Sequence, residues 1–345
     1  MPAAGAPAAA QPVLALTDSH GRVHRDLRIS LTDRCSLRCV YCMPADGVPW
    51  LRDPLLLSTD EIVRLARVAV ALGVEEVRLT GGEPLLRPDV VEVVARLGAL
   101  RSPALPAGPE LSLTTNALRL AALAQPLREA GLARVNVSLD TLRRDRFTRL
   151  TGRDRLAEVL AGIAAAAAAR LAPIKINAVA MRGVNDDELV DLVRFASEHG
   201  YEMRFIERMP LDAGHTWSRA RMVTGAEILR SLASAFELTP AARPASAPAE
   251  RWLVDGGPAT VGVIASVTSP FCGACDRVRL TADGQLRSCL FARTETDLRT
   301  RLRRGAQDDE IATAMRHCLA RKLPGHGIDS PAFLQPDRPM SAIGG

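Results

Sequence analysis

Six short apolar runs punctuate the chain from about residue 27: LRISL (27–31), EEVRLTGG (75–82), LSLTTN (111–116), RVNVSLD (134–140), IKINAVA (174–180) and YEMRFIERM (201–209). Between them lie stretches whose apolar residues recur every three or four positions, the period of a helix with one buried face. One of these, STDEIVRLARVAVALG (58–73), opens on Ser58 with Glu61 three residues later and closes on Gly73. That is a capping box followed by a helix stop. Others cover roughly 88–99, 118–130, 154–170 and 186–199. Strand–helix alternation repeated six times predicts a parallel sheet with right-handed crossovers. Six units fall short of the eight that close a barrel, so the expectation is an α/β fold, either an open partial barrel or a doubly wound sheet. In both, ligands collect at the C-terminal ends of the strands.

The flanks bound the domain plan. The start, MPAAGAPAAAQP, has neither the basic opening nor the apolar run of a signal peptide. Its Ala/Pro/Gly composition predicts a disordered tail over 1–20. A Pro-rich loop at 101–110 interrupts the repeat, and LTPAARPASAPAE (238–250) reads as a linker. The plan is therefore a tail (1–20), a barrel region (21–240) and a C-terminal region (241–345) with a strand pair near 252–265 and a helix near 307–322. No run of 18 apolar residues occurs, so no membrane span is expected. Aromatic residues make up 3% of the chain, which disfavours a nucleic-acid surface built on stacking. The formal charge is +5, carried almost wholly by arginine, since lysine occurs only at Lys175 and Lys322. Without a secretory signal the expected compartment is the reducing cytoplasm, where clustered thiols favour metal binding or catalysis over disulfides.

Two sets of three cysteines carry the chemistry. Cys35, Cys39 and Cys42 follow the first predicted strand in TDRCSLRCVYCMP. They sit where the active sites of such folds lie. A structural zinc site takes four ligands, commonly in C-x2-C pairs, and a ferredoxin cubane takes four cysteines. Three thiolates on a cubane leave one iron open to a small molecule. A structural metal site and unligated thiols are the alternatives. The second set is Cys272, Cys275 and Cys289 in SPFCGACDRVRLTADGQLRSCLF. Its alternative is a zinc site completed by Cys318 or His317. Against that, Cys318 falls in a helical pattern, where a free buried cysteine is common.

C-x3-C-x2-C with Tyr41 before the last cysteine resembles the radical S-adenosylmethionine (SAM) enzymes, as does TGGEP (80–84) at the end of the second strand. With NVSLD, RFIE, CDRVRL, DGQLRSCLF and the terminal Gly-Gly, the chain from about residue 22 resembles the molybdenum cofactor biosynthesis protein A family, the GTP 3′,8-cyclases. The resemblance implies a partial (β/α)6 TIM-like barrel of the radical SAM type, with a C-terminal extension carrying a second iron–sulfur cluster. It implies a lyase that uses SAM and two [4Fe–4S] clusters. In this family a 5′-deoxyadenosyl radical takes hydrogen from C3′ of GTP, and the resulting carbon radical attacks C8 of guanine. Ala117 stands where the family usually has glycine after LTTN, and Asp276 where a small polar residue is more usual.

Matched residue by residue, the resemblance implies Cys35, Cys39 and Cys42 as ligands of the first cluster and Cys272, Cys275 and Cys289 as ligands of the second. SAM contacts fall on Tyr41, Gly82, Ser138 and Met209. GTP contacts fall on Arg28, Arg78, Thr114, Lys175, Arg204, Arg277 and Arg279. Arg277, Arg279 and the tail glycines Gly344 and Gly345 are implied in catalysis. Implied partners are GTP, an electron donor, cyclic pyranopterin monophosphate synthase as recipient of the product, and a second copy in a homodimer. Independently, alternation puts Lys175 and Asn177 on one strand face and Ile174 and Ile176 on the other. Competing readings are a peptide-maturing radical SAM enzyme, which would carry more C-terminal cysteines, and a two-cluster redox protein without catalysis.

Overall fold

The computed structural model describes residues 15–44, 46–330 and 333–344. The six expected units are present as β1 (Asp26–Ser30), α1 (Thr59–Ala71), β2 (Glu76–Thr80), α2 (Val90–Gly98), β3 (Glu110–Thr115), α3 (Leu120–Glu129), β4 (Arg134–Ser138), α4 (Arg144–Thr151), α5 (Leu156–Ala168), β5 (Ile174–Ala180), α6 (Leu189–Glu198) and β6 (Glu202–Glu207). The Ser58 capping box forms as read, with the hydroxyl accepting from Glu61 N–H and the Glu61 carboxylate accepting from Ser58 N–H. The stretch at 154–170 is α5, but α4 precedes it. In RDRFTRLT only Phe147, Leu150 and Thr151 are buried, too few for an apolar stripe to show in the sequence.

Beyond 207 the chain forms α7 (Gly225–Ala233), β7 (Leu238–Ala241), β8 (Glu250–Val254), β9 (Thr260–Ile264), β10 (Arg277–Leu280), β11 (Gln285–Arg287), β12 (Thr296–Asp297), α8 (Arg299–Arg303), α9 (Asp308–Ala320) and α10 (Met340–Ile343). These strands do not form a sheet of their own. The order is β12-β11-β10-β1-β2-β3-β4-β5-β6-β9-β8-β7. From β10 to β9 the eight strands run parallel, and two further strands with antiparallel pairing finish each edge. The expected boundary near 240 is therefore not a boundary of the sheet.

The helices cover one face, where leucine, isoleucine and valine from β1 to β5 join Met203 and Phe205 of β6 in a single core. β5 shows the logic: Ile174, Ile176, Ala178 and Ala180 are buried against helices, while Lys175, Asn177 and Val179 turn to the concave face. The tail expectation extends too far. Leu16 is buried, its N–H donates to Leu72 O, and Thr17 pairs with Val23. Asp18 accepts from Arg22 and His20, which fixes the segment further. Residues 1–14 lie outside the described residues. Among the described residues no helix is long and apolar enough to cross a membrane.

Candidate functional site

The loop after β1 carries Cys35, Cys39 and Cys42 to the mouth of the sheet. The turn after β2 packs directly beneath it. A side chain at Gly81 would strike Thr32 O, and one at Gly82 would strike Arg34 O. Both positions therefore require glycine for close backbone approach. Gly82 N–H donates to Thr32 O (2.8 Å) and Glu83 N–H to Arg34 O (2.8 Å). The Glu83 side chain ties β2 to β3: its carboxylate accepts from Thr115 Oγ1 (2.8 Å), Asn116 N–H (2.7 Å) and Leu85 N–H (3.0 Å). Burial pushes its carboxyl up to about 7 against those donors. The sequence reading put Glu83 inside a ligand-binding motif; its carboxylate also braces the cluster loop.

Cys35, Cys39 and Cys42 line a cavity of about 140 Å³ with Gly81, Gly82, Thr114, Ser138, Met340 and Ser341. Burial pushes the Cys35 thiol up, Cys42 up to about 12, and Cys39 well above its ordinary range. Buried thiols in this state become thiolates when a bound cationic metal supplies the charge. Donors already face sulfur: Leu37 N–H lies 3.5 Å and Asn116 Nδ2 3.8 Å from Cys35 Sγ, and a backbone N–H of Ser341 reaches Cys42. Three cysteines open to one cavity, with N–H groups aimed at sulfur, fit a three-thiolate iron–sulfur cluster.

A second cavity, of about 270 Å³, continues from the first. Tyr41, Thr114, Ser138 and Met340 line both. At its far end stand Cys272, Cys275 and Cys289, with Phe271, Phe291 and His326 beside them. Phe291 N–H lies 3.5 Å from Cys289 Sγ, the same donor pattern as in the first set. Cys318 is elsewhere, packed in the core of α9 with its thiol donating to Leu286 O (3.5 Å). His317 lines a separate surface pocket with Glu295 and Arg321. The fourth-ligand alternative finds no support in this placement.

The concave face between the two sets is cationic. Register places Arg279, Arg28 and Arg78 level across β10, β1 and β2, with Arg277, Asp26 and Glu76 forming the row below. Asp26 Oδ2 lies 3.7 Å from Arg28 Nε and 3.4 Å from Arg277 Nε. One buried carboxylate thus faces four guanidiniums. Burial pushes its carboxyl up, but Arg28 and Arg78 and then Arg277 and Arg279 win, and it ends down at about 2. Among the described residues, Nε of Arg28, Arg277 and Arg279 and Oδ1 of Asn136 and Asn177 are buried without a hydrogen-bond partner. A buried unmet donor is costly, so three of them with surplus positive charge mark the seat of an anionic, oxygen-rich ligand.

The structure brings most of the expected residues together. Arg28, Tyr41, Arg78, Thr114, Ser138, Arg204, Met209, Arg277 and Arg279 all line the larger cavity, and Gly82 the smaller. Lys175 does not line it. It stands at the start of β5, paired in register with Asn136 and Glu202, and burial, Arg204 and Arg134 hold its amine down at about 8. The Tyr41 hydroxyl donates to Asp140 Oδ2 (2.8 Å). Gly344 lies against the adjacent ends of β1 and β2: a side chain there would meet Ser30 Oγ and come within 2.6 Å of Thr80 Oγ1. Ile343 O accepts from Ser30 Oγ (3.1 Å), which pins the tail in place. Gly345 lies outside the described residues. Sequence reasoning missed Asp26, Asn136, Phe271 and Met340, and placed Asn177 on the Lys175 face without giving it a role. Asn136 sits two residues from Ser138, so alternation could have found it as well. The 238–250 segment is also more than a linker, since Ser246 O accepts from Arg277 (3.0 Å) and Pro248 lines the cavity.

Comparison with known proteins agrees with this geometry. The Radical SAM superfamily model matches residues 29–196, and the Molybdenum Cofactor Synthesis C model matches residues 201–328. The GTP 3′,8-cyclase of Streptomyces coelicolor is 61% identical over 96% of each chain. That of Mycolicibacterium smegmatis is 56% identical over 96% of this chain and 92% of the relative. Among solved structures, Streptococcus suis SuiB shares the fold at 15% identity, with a TM-score of 0.58 over 89% of this chain and 68% of that one. SuiB bound to S-adenosylmethionine gives 0.56 at 14% identity over 81% of this chain and 64% of that one. Near-complete coverage at such identity, on a sheet that joins two three-thiol sites through one cationic cavity, establishes that the chain belongs to the GTP 3′,8-cyclase family of radical SAM enzymes.

Proposed function

We propose that the chain converts GTP to (8S)-3′,8-cyclo-7,8-dihydroguanosine 5′-triphosphate, the first step of molybdenum cofactor biosynthesis. The observation that carries this reading is the continuity of the two cavities, with three cysteines at each end and buried arginines between. Cys35, Cys39 and Cys42 would hold a [4Fe–4S] cluster which, when bound, supplies the electron that splits SAM and yields the hydrogen-abstracting radical. Gly82, Tyr41, Ser138 and Met209 hold SAM. Arg28, Arg78, Arg204, Thr114 and Lys175 neutralise and orient the triphosphate, as forked guanidiniums suit phosphate oxygens. Cys272, Cys275 and Cys289 would hold a second [4Fe–4S] cluster that takes the guanine. Arg277 and Arg279, on β10 at the end of the cationic face that adjoins that set, act on the base side with the Gly344–Gly345 tail.

Ile206, Leu211 and Met340 close the cavity with apolar surface and keep water from the reacting carbon. A one-electron donor, hand-off of the product to cyclic pyranopterin monophosphate synthase, a homodimer and a cytoplasmic location complete the reading; they rest on the family resemblance. The test is anaerobic reconstitution with iron and sulfide, then incubation with GTP, SAM and dithionite. The expected products are 5′-deoxyadenosine and a cyclised nucleotide. Cys275→Ser should retain some SAM cleavage and lose cyclisation. Reconstituted protein that forms no cyclised nucleotide would overturn the assignment.

A further inference from the structure

Of the chain's two lysines, Lys322 stands outside the cavity lining and has no role in the reading so far. It follows α9 and is only 3% exposed. Its Nζ donates to Arg277 O (2.8 Å) and Cys275 O (3.4 Å), and lies 3.6 Å from Cys275 Sγ and 3.4 Å from His24 Nδ1. His24 is fully buried, and its Nε2 lies 3.1 Å from Asp18 Oδ2. An ionised carboxylate can only accept, so Nε2 carries the ring proton and the Nδ1 lone pair faces the ammonium. Asp18 is fixed in turn by Arg22 Nε (2.6 Å) and by the N–H groups of His20 (2.9 Å) and Arg22 (3.0 Å). The Arg22 guanidinium also donates to Cys272 O (2.7 Å). The segment before β1 thus braces two of the three second-set cysteines from behind.

A buried ammonium carries a desolvation cost that needs a compensating partner. Its three N–H groups are shared among Arg277 O, His24 Nδ1 and, on the Cys275 side, the carbonyl and the sulfur together, and of these only the sulfur can balance its charge. The nearest group able to carry negative charge is the Cys275 sulfur. The shape also selects lysine. A compact ammonium can address a sulfur, two carbonyls and a ring nitrogen at once, which a planar guanidinium cannot. Positive charge and N–H bonds at a ligating sulfur stabilise the reduced, more negative cluster.

We propose that Lys322 is a positioning residue for the second cluster: held by His24 and two backbone carbonyls, its ammonium bonds the Cys275 sulfur and raises the cluster's reduction potential. This rests on the second-cluster reading, and the test separates the two. The parent is the full chain with Cys35→Ala, Cys39→Ala and Cys42→Ala, which leaves the second set alone. Iron and sulfide analysis of that parent decides whether the second cluster exists; an absence there fails the cluster reading itself. With the cluster present, a redox titration followed by electron paramagnetic resonance compares Lys322→Gln, Lys322→Met and Lys322→Arg, with circular dichroism confirming the fold. The midpoint should move to more negative potential in the Gln and Met variants and move less in Arg, which keeps the charge but not the ammonium's set of contacts. An unchanged midpoint in folded Lys322→Gln overturns the proposal. The parent also gives a reading without any Lys322 substitution. Grown on 15N-lysine it is labelled at two positions, and the reduced second cluster should show 15N hyperfine coupling from Lys322. Its absence overturns the proposal even where every substitution unfolds the chain.

Discussion

Ala117 adopts a left-handed backbone, φ 64°, at the turn after β3, where the family usually has glycine. An alanine methyl in that region costs about 1–2 kcal/mol. The methyl is fully buried, which returns about 0.8 kcal/mol, and alanine saves about 0.4–1 kcal/mol of unfolded-chain entropy over glycine. The terms nearly cancel, so Ala117→Gly is expected to change stability by less than about 1 kcal/mol in urea unfolding. What makes the alanine tolerable is Gly162 on α5, whose added side chain would strike Ala117 O and lie 3.2 Å from Ala117 Cβ. Gly162→Ala is therefore expected to cost about 2–3 kcal/mol. It should also lower iron retention, because Asn116 of the same turn bonds Cys35 and Ser36. Wild-type stability in Gly162→Ala would refute this account. The sequence could place Ala117 in a suspect position, but Gly162 looked like any glycine in an alanine-rich helix. Only the crossing of α5 over the β3 turn pairs them. The cysteines were legible for the opposite reason, since their spacing is local.

β1, β2 and β10 show what adjacent strands do together. Arg28 and Arg78 could each be read as a surface residue. The register β10-β1-β2 is what stacks them with Arg279 over a single carboxylate, Asp26. The six βα units were legible from apolar runs, because a parallel strand buried on one face by helices must carry them. β10 was not, because RVRL spends alternate positions on guanidiniums. α7 was overlooked although Thr224 and Glu227 form a capping box as clear as that of α1. Removing Asp26 would leave the guanidiniums without their shared counter-charge. Loss of one partner from a buried ionic set costs on the order of 3 kcal/mol. Asp26→Asn is therefore expected to melt well below wild type without nucleotide. Because the surplus charge is larger, GTP should raise its melting temperature more than it raises that of wild type. Thermal melts with and without GTP check both; a smaller GTP shift in the variant would show that the row does not seat the triphosphate.

At the scale of the whole molecule, buried ionisable groups pull the pH dependence of stability in opposite directions. Burial, then Lys322, hold His24 down at about 4, so below pH 6.5 the unfolded chain binds its proton first and stability falls as pH falls. Burial raises Glu83 to about 7 and Asp140 to about 6, so these two lose stability as pH rises. The difference between wild type and His24→Gln isolates the histidine. Between pH 6.5 and 5 wild type should lose about 2 kcal/mol more than the variant in urea titrations, and parallel curves would mean that His24 keeps its ordinary proton affinity. The continuity of the sheet makes a larger claim. β10 covers the edge of β1 and β9 covers the edge of β6, so both ends of the βα repeat are finished by strands that come after residue 240. The repeat looked self-sufficient in sequence because each unit carries its own apolar face. Nothing local shows that its two edges wait for the C-terminal third. A fragment ending at residue 240 would expose two flat parallel edges, the arrangement that recruits other chains. It would also lose Arg277, Arg279 and the tail that fill the concave face, leaving Arg28 and Asp26 in an open groove. Residues 15–240 expressed alone are accordingly expected to aggregate or to unfold without a cooperative transition, whereas the full chain melts as one unit. A soluble fragment with a sharp melt would establish that six βα units suffice, and that the added strands serve the site rather than the fold.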